Sequence, residues 1–190
     1  MKRLSKNFFN REPTDVAKDL LGKILVRNLN GSIISGRIVE TEAYLAFKDE
    51  AAHSFRGKTK RTESLFKDAG HLYVYSIHMQ NCMDIVCNSI DVPDSVLIRA
   101  LEPIEGIDLM KSFRNKEHIK DLTTGPGKLC KALDISRQLD GINICEPSSI
   151  VYVLDDNYKP SKIIQKSRVG VTKAKEMELR FYIKGNPFVS

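Results

Sequence analysis

Lys23-Ile24-Leu25-Val26-Arg27-Asn28-Leu29-Asn30-Gly31-Ser32-Ile33-Ile34-Ser35-Gly36-Arg37-Ile38-Val39-Glu40-Thr41 reads as two extended segments folded about Asn30-Gly31. Both turn residues tolerate the positive φ that a type I′ turn needs at its two central positions, so the pair joins a strand over 23–29 to a returning strand over 32–41. Glu42 then lies at or just beyond the strand end. Alternation sets Glu40 and Glu42 on one side of the segment and Val39 on the other. Two acids at a strand end are either solvent-facing strand residues or groups for acid-base work, and the segment alone favours the former.

Working outward, Thr14 or Asp15 caps a short helix through Leu21, since Val16, Leu20 and Leu21 share a face and Gly22 sits where helices stop. Apolar runs at 72–77 and 96–101 read as buried strands, and Ile104, Ile107, Leu109 and Met110 give helical spacing over 104–113. Gly125-Pro126-Gly127 is a turn feeding a helix from Lys128, either a plain turn or an anion site at free N–H groups. From Asp140 onward the chain reads as short strands punctuated by Gly170, Gly185 and Pro187. Strands and helices interleave without a βαβ repeat. With 190 residues, 42% of them hydrophobic, the expectation is one core and a single domain over 1–190.

No stretch approaches the roughly 18 apolar residues of a membrane span, and the first residues lack the apolar region of a signal peptide. A soluble, cytoplasmic protein is expected, nucleoid-associated if bacterial. Cys82, Cys87, Cys130 and Cys145 form no Cys-x-x-Cys pair and are expected as reduced, mostly buried thiols. The formal charge of +6 and a pI near 9.1 favour a polyanionic partner. Arg56, Lys58, Lys60 and Arg61 crowd one polar segment, either a solvated loop or a phosphate contact. His53, His71, His78 and His118 show no metal-ligand spacing, and dinucleotide, P-loop and serine-hydrolase motifs are missing, so no metal or cofactor is expected. Carboxylate chemistry is what remains. Tyr44, His53, Tyr73 and Tyr75 supply aromatic surface, either core packing or a platform for a base.

Arg37-Ile38-Val39-Glu40-Thr41-Glu42-Ala43-Tyr44-Leu45, followed by Ala51-Ala52-His53-Ser54, resembles the signature of the alkyladenine (3-methyladenine) DNA glycosylase family. Further blocks follow in family order: Leu72-Tyr73-Val74-Tyr75, then 96–103, then Thr124-Gly125-Pro126-Gly127-Lys128-Leu129-Cys130, then Arg168-Val169-Gly170-Val171 with Arg180-Phe181-Tyr182. The resemblance runs from about Val16 to Ser190. It implies an α+β fold: a single domain with a curved antiparallel β-sheet and surrounding helices, like a formyltransferase C-terminal domain, binding duplex DNA as a monomer through the minor groove. It implies a monofunctional enzyme of base excision repair that hydrolyses the N-glycosidic bond of flipped alkylated purines such as 3-methyladenine and 7-methylguanine. Glu42 matches the general base, and Arg99 with the carbonyl of Val169 match the groups that position its water. Tyr44, His53 and Tyr75 match the aromatic slot for the extruded base, whose positive charge an electron-rich cage attracts. No lysine matches a nucleophile, so no Schiff base or strand cleavage is expected. Arg61 and Lys128 match positions near the DNA backbone.

Two departures stand out. After Tyr75 the family continues with Tyr-Gly-Met, its tyrosine filling the gap left by the flipped nucleotide. Here Ser76-Ile77-His78-Met79 is one residue shorter, so His78 takes the intercalating place or Met79 shares it. Cys82-Met83-Asp84 stands where the family has Cys-Met-Asn, whose asparagine excludes guanine. Aspartate accepts a hydrogen bond from an exocyclic amine, so Asp84 is expected to favour cationic purines over neutral lesions such as hypoxanthine. The competing readings are a non-catalytic damaged-DNA or RNA-binding protein of the same fold.

Overall fold

The turn at Asn30-Gly31 forms with φ of +51° and +92°, and Leu29 stands opposite Ser32 across it. The computed structural model describes all of residues 1–190. In chain order come β1 (Lys2–Arg3), α1 (Lys6–Phe9), α2 (Pro13–Leu20), β2 (Ile24–Leu29) and β3 (Ser32–Tyr44). Next are β4 (Leu72–Ile77), β5 (Gln80–Cys87), β6 (Asp94–Glu105), α3 (Ile107–Arg114), α4 (Lys120–Thr123) and α5 (Pro126–Ala132). The chain finishes with β7 (Val151–Asp155), β8 (Ile163–Lys166) and β9 (Arg180–Ile183). The architecture is α+β, an open antiparallel sheet ordered β1-β7-β2-β3-β6-β5-β4, with β9 and β8 branching from β3. No helix is long and apolar enough to cross a membrane.

β3 is the spine. Its first half pairs with β2, Glu40 to Glu42 pair with β9, and β6 runs along almost its whole length. Between β3 and β6 the register skips Val39 on one strand and then Arg99 on the other. Such bulges bend a strand and re-aim the side chain beside them. One face of the sheet presents Leu72, Val74, Met83, Ile85, Val96 and Ile98 to a core of 36 buried residues, under α2 and α5. The opposite face, by the two-residue period of extended chain, carries a smaller cluster that includes Tyr73, Tyr75, Cys82 and Leu97. Because both faces of β5 and β6 are covered, these strands are buried almost throughout.

The structure departs from the sequence pattern at four places. Glu42 is inside β3, two residues before its end, because β6 and β9 continue the ladder past Thr41. The first long helix starts at Pro13 after Glu12, with Pro13 supplying the fixed φ of a first helical position in place of a Thr14 or Asp15 cap. Ile104 belongs to β6, and the following helix starts only at Ile107. Gly106 separates them at φ +73°, where a Cβ would lie 2.6 Å from the Ile33 carbonyl oxygen. Strand β5 was unforeseen, because Asn81 and Asp84 break its apolar alternation and its hairpin turn, His78-Met79, contains no glycine.

Candidate active site

Strand register assembles the site. Tyr73 pairs with Asp84, Asp84 with Leu97, and Leu97 with Glu42, one row across four strands on the face away from the main core. Tyr75 pairs with Cys82, and Ser95 with Tyr44, in the rows on either side. Of these, Tyr44, Tyr75, Cys82, Asp84, Ser95 and Leu97 line a cavity of about 450 Å³, within the range of small-molecule sites. Two loops close it: one carries His53, and the other runs from Val169 to Lys173.

Glu42 is fully buried, which removes the solvent-facing reading of the acidic pair. It lies immediately behind the cavity wall, held by three residues that line it. The Val169 N–H donates to Oε1 at 2.8 Å, Arg99 Nη1 approaches Oε1 at 3.2 Å, and the Tyr44 hydroxyl donates to Oε2 at 2.9 Å. A carboxylate offers about four lone-pair positions, so roughly one remains for a water proton. The resemblance assigned Val169 a role through its carbonyl; here its amide fixes Glu42. Glu40, equally buried, anchors Arg99: its Oε1 accepts from Arg99 Nε at 3.0 Å and from Arg180 Nε at 2.5 Å. Two carboxylates thus face two guanidinium groups, and Arg99 is held more strongly charged by Glu42 and Glu40 although burial opposes it.

A second buried ion pair went unforeseen. Arg168 and Asp49 are both without solvent exposure and meet through two hydrogen bonds, Nη2 to Oδ1 at 2.7 Å and a shorter one from Nη1 to Oδ2. The Arg168 guanidinium also lies 4.5 Å from the Tyr44 ring centre and donates to the Ala43 carbonyl at 3.1 Å. This pair ties the His53 loop to the Val169 loop and so positions the amide that holds Glu42. Arg168 lay within a matched block, but nothing marked Asp49, which is 119 residues away in the chain.

The aromatic wall is built from Tyr75 and His53, edge to face at 4.6 Å, with Tyr73 stacked behind Tyr75 at 4.8 Å. His53 Nδ1 lies 3.1 Å from the Tyr73 hydroxyl. Burial, then the charge of Arg61, lowers the His53 pKa from 6.5 and keeps the ring neutral at pH 7. Burial likewise raises the Tyr44 and Tyr75 phenols far above the usual range. Asp84, on the floor of the same wall, has its pKa pushed up to about 7, chiefly by burial; the hydrogen bond from Ser95 offsets this in part, while the charge of Glu42 adds to it.

His78 and Met79 form the two-residue tip of the β4–β5 hairpin, with φ of +47° and +62°. His78 reaches the cavity rim, while Met79 projects wholly into solvent beside a separate groove. Arg61 is exposed at the end of the basic loop, and Lys128 turns toward Thr124 at 3.4 Å; neither lines the cavity. Lys173, the one lysine that does, pairs with Glu50 at 2.9 Å with both side chains about half exposed. The four cysteines are unpaired, Cys82 lining the cavity with its thiol raised to about 11 by burial. No three His, Cys, Asp or Glu side chains converge as metal ligands would.

A family model described as methylpurine-DNA glycosylase matches residues 7–187. A protein of Clostridium perfringens (strain 13 / Type A) named "Putative 3-methyladenine DNA glycosylase" is 44% identical, over 99% of this chain and 98% of its own length. One of the same name from Mesorhizobium japonicum is 46% identical over 92% of this chain and 84% of its own.

Proposed function

Because the chain belongs to the methylpurine-DNA glycosylase family, we propose that it hydrolyses the N-glycosidic bond of an alkylated purine swung out of duplex DNA. The observation that carries this reading is Glu42: a wholly enclosed carboxylate with about one acceptor position free, behind the floor of an aromatic-walled cavity. A base inside the duplex exposes neither face to a protein, so chemistry at C1′ needs the nucleotide extruded. His53 and Tyr75 supply the rings that receive it, and a positively charged alkylpurine gains from such surroundings.

In the proposed reaction, water donates a proton to Glu42 as its oxygen forms a bond to C1′, and the C1′–N bond breaks with its electron pair leaving on the purine. The anionic Glu42 opposes the positive charge that develops on the sugar, while Arg99 and Val169 keep the carboxylate from turning away. The product is an abasic site in an intact strand. Lys173 stays out of the chemistry, paired to Glu50 at the mouth. Met79 enters the stack at the vacated position with His78 beside it, and Arg61 and Lys128 contact phosphates. The protein acts as a monomer on damaged DNA.

The test is base release from methylated duplex DNA, with strand breaks scored before and after alkali and with borohydride added in parallel. Free methylpurine, breaks only after alkali and no trapped protein–DNA adduct are expected. Binding without base release makes the protein a damage reader, and a borohydride-trapped adduct assigns Lys173 a covalent role.

A further inference from the structure

The guanidinium that holds Glu42 is itself held from a place far along the chain. Each nitrogen of Arg99 has one partner: Nη1 approaches Glu42 at 3.2 Å, Nε donates to Glu40 Oε1 at 3.0 Å, and Nη2 donates to the Ser190 hydroxyl at 3.2 Å. Ser190 also closes the other side of Glu40. Its N–H donates to Oε2 at 2.7 Å, and this enclosed oxygen accepts from no other group, since Arg99 and Arg180 both donate to Oε1. The main-chain oxygen of Ser190 accepts from Arg180 Nη2 at 2.9 Å. Through three of its atoms Ser190 thus meets every member of the Glu40, Arg99 and Arg180 cluster. It is exposed and lies outside the cavity lining, so it caps buried groups from the solvent side. The segment leading to it is fastened: Phe188 is buried in the main core, its N–H donates to Asn186 Oδ1 at 2.9 Å, and Asn186 Nδ2 donates to Glu102 on β6 at 2.8 Å.

We propose that Ser190 is a positioning residue for base release: it fixes the plane of Arg99, and through Arg99 the orientation of the Glu42 carboxylate, without reaching the cavity itself. The proposal rests on the glycosylase reading above. A guanidinium is planar and its donors keep a fixed fork, so contacts at Nε and Nη2 set the direction in which Nη1 points. One contact at Nε leaves the plane free to tilt about it, and the second at Nη2 removes that freedom. The Ser190 amide acts on the same geometry from the other end. With Oε2 bound to that N–H, Glu40 keeps Oε1 turned toward Arg99 and Arg180; without it a buried carboxylate oxygen is left bare, and the acid gains by turning. A displacement of Nη1 passes to Glu42 Oε1, which accepts from it and from the Val169 amide. A carboxylate moved off its water slows the reaction, whereas His53 and Tyr75, the rings that receive the base, stand apart from this cluster and keep their hold on the DNA.

The experiment measures single-turnover release of 3-methyladenine from methylated duplex DNA, and affinity for an abasic duplex, for the unaltered protein, Ser190→Thr, Ser190→Ala and Ser190→Pro. Ser190→Thr keeps the amide and the hydroxyl and should stay within about 2-fold of the unaltered rate. Ser190→Ala takes away the partner of Arg99 Nη2 and should slow release about 3- to 10-fold. Ser190→Pro removes the N–H as well and should slow it about 10- to 100-fold. Affinity for the abasic duplex should change by less than about 2-fold in all three, because the loss falls on the reacting geometry and not on binding. Should Ser190→Pro fold poorly, the loss in Ser190→Ala and its recovery in Ser190→Thr decide alone. Release at the unaltered rate in Ser190→Ala, an equal loss in Ser190→Thr, or matching losses of rate and abasic affinity overturns the inference while leaving base excision intact. Failure of the unaltered protein to release 3-methyladenine overturns the glycosylase reading and this inference with it.

Discussion

Glu42 and Asp84 lie on one face of the same sheet, two strands apart, both shut away from bulk water, and their surroundings differ in kind. Glu42 accepts from an amide, a phenol and a guanidinium, and the guanidinium is itself pinned by Glu40. Asp84 has one hydroxyl partner, a bare second oxygen and no cation. A saturated buried carboxylate is held in one orientation whatever enters the cavity, as a group that orients water must be. A half-satisfied one responds to pH by changing its protonation. The fold therefore satisfies two acids on one sheet face to different degrees.

Four measurements break or sharpen that contrast. Glu42→Gln keeps the shape and removes the base, so single-turnover release should fall about 10³- to 10⁴-fold, ~4–5 kcal/mol in the barrier, while affinity for abasic duplex persists. Base release at the unaltered rate would remove Glu42 from the mechanism. Asp49→Asn strands a buried guanidinium and should cost about 3–5 kcal/mol in urea denaturation, with slower base release as the Val169 amide loosens. Unchanged stability and rate would show that the loop pair does not brace Glu42.

Asp84→Asn should act in the opposite direction on stability. Its folded pKa of about 7 lies above the ordinary 3.8, so the native state holds a proton that the unfolded chain has already released. The carboxylate's cost is absent below about pH 4, grows as pH rises through that interval, and is complete above about pH 7. The variant should be more stable by roughly 2–4 kcal/mol at about pH 8 and nearly neutral at about pH 4. An advantage independent of pH would mean that Asp84 is ionised at its ordinary value. Glu50→Ala, which breaks the exposed pair with Lys173, should change stability by less than about 0.5 kcal/mol. A larger loss would make that pair a true closure of the mouth.

Legibility followed the range of the interactions. The Asn30-Gly31 hairpin depends on φ preferences of adjacent residues and was readable without the rest of the chain. The β4–β5 hairpin uses the same left-handed pair of turn residues but places His78 and Met79 there, where side-chain identity gives no warning, and β5 was missed with it. Within the site, Glu42, Tyr44, His53 and Tyr75 were named through resemblance, whereas the strand segment alone favoured a solvent-facing reading for Glu40 and Glu42, which their burial overturns. Asp49 carried no signal, since its meaning comes from Arg168, brought to it only by folding.

The sequence by itself determined the early hairpin, the order of most elements, the family blocks and the acid at position 42, because local backbone preference and residue pattern are written in neighbouring positions. Tertiary structure alone decided that Glu42 is braced on three sides, that Asp49 and Arg168 join the two covering loops, and that Asp84 keeps a bare oxygen. Each of these depends on cross-strand register and burial, where a carboxylate's state is set by groups distant in the chain and by the exclusion of water.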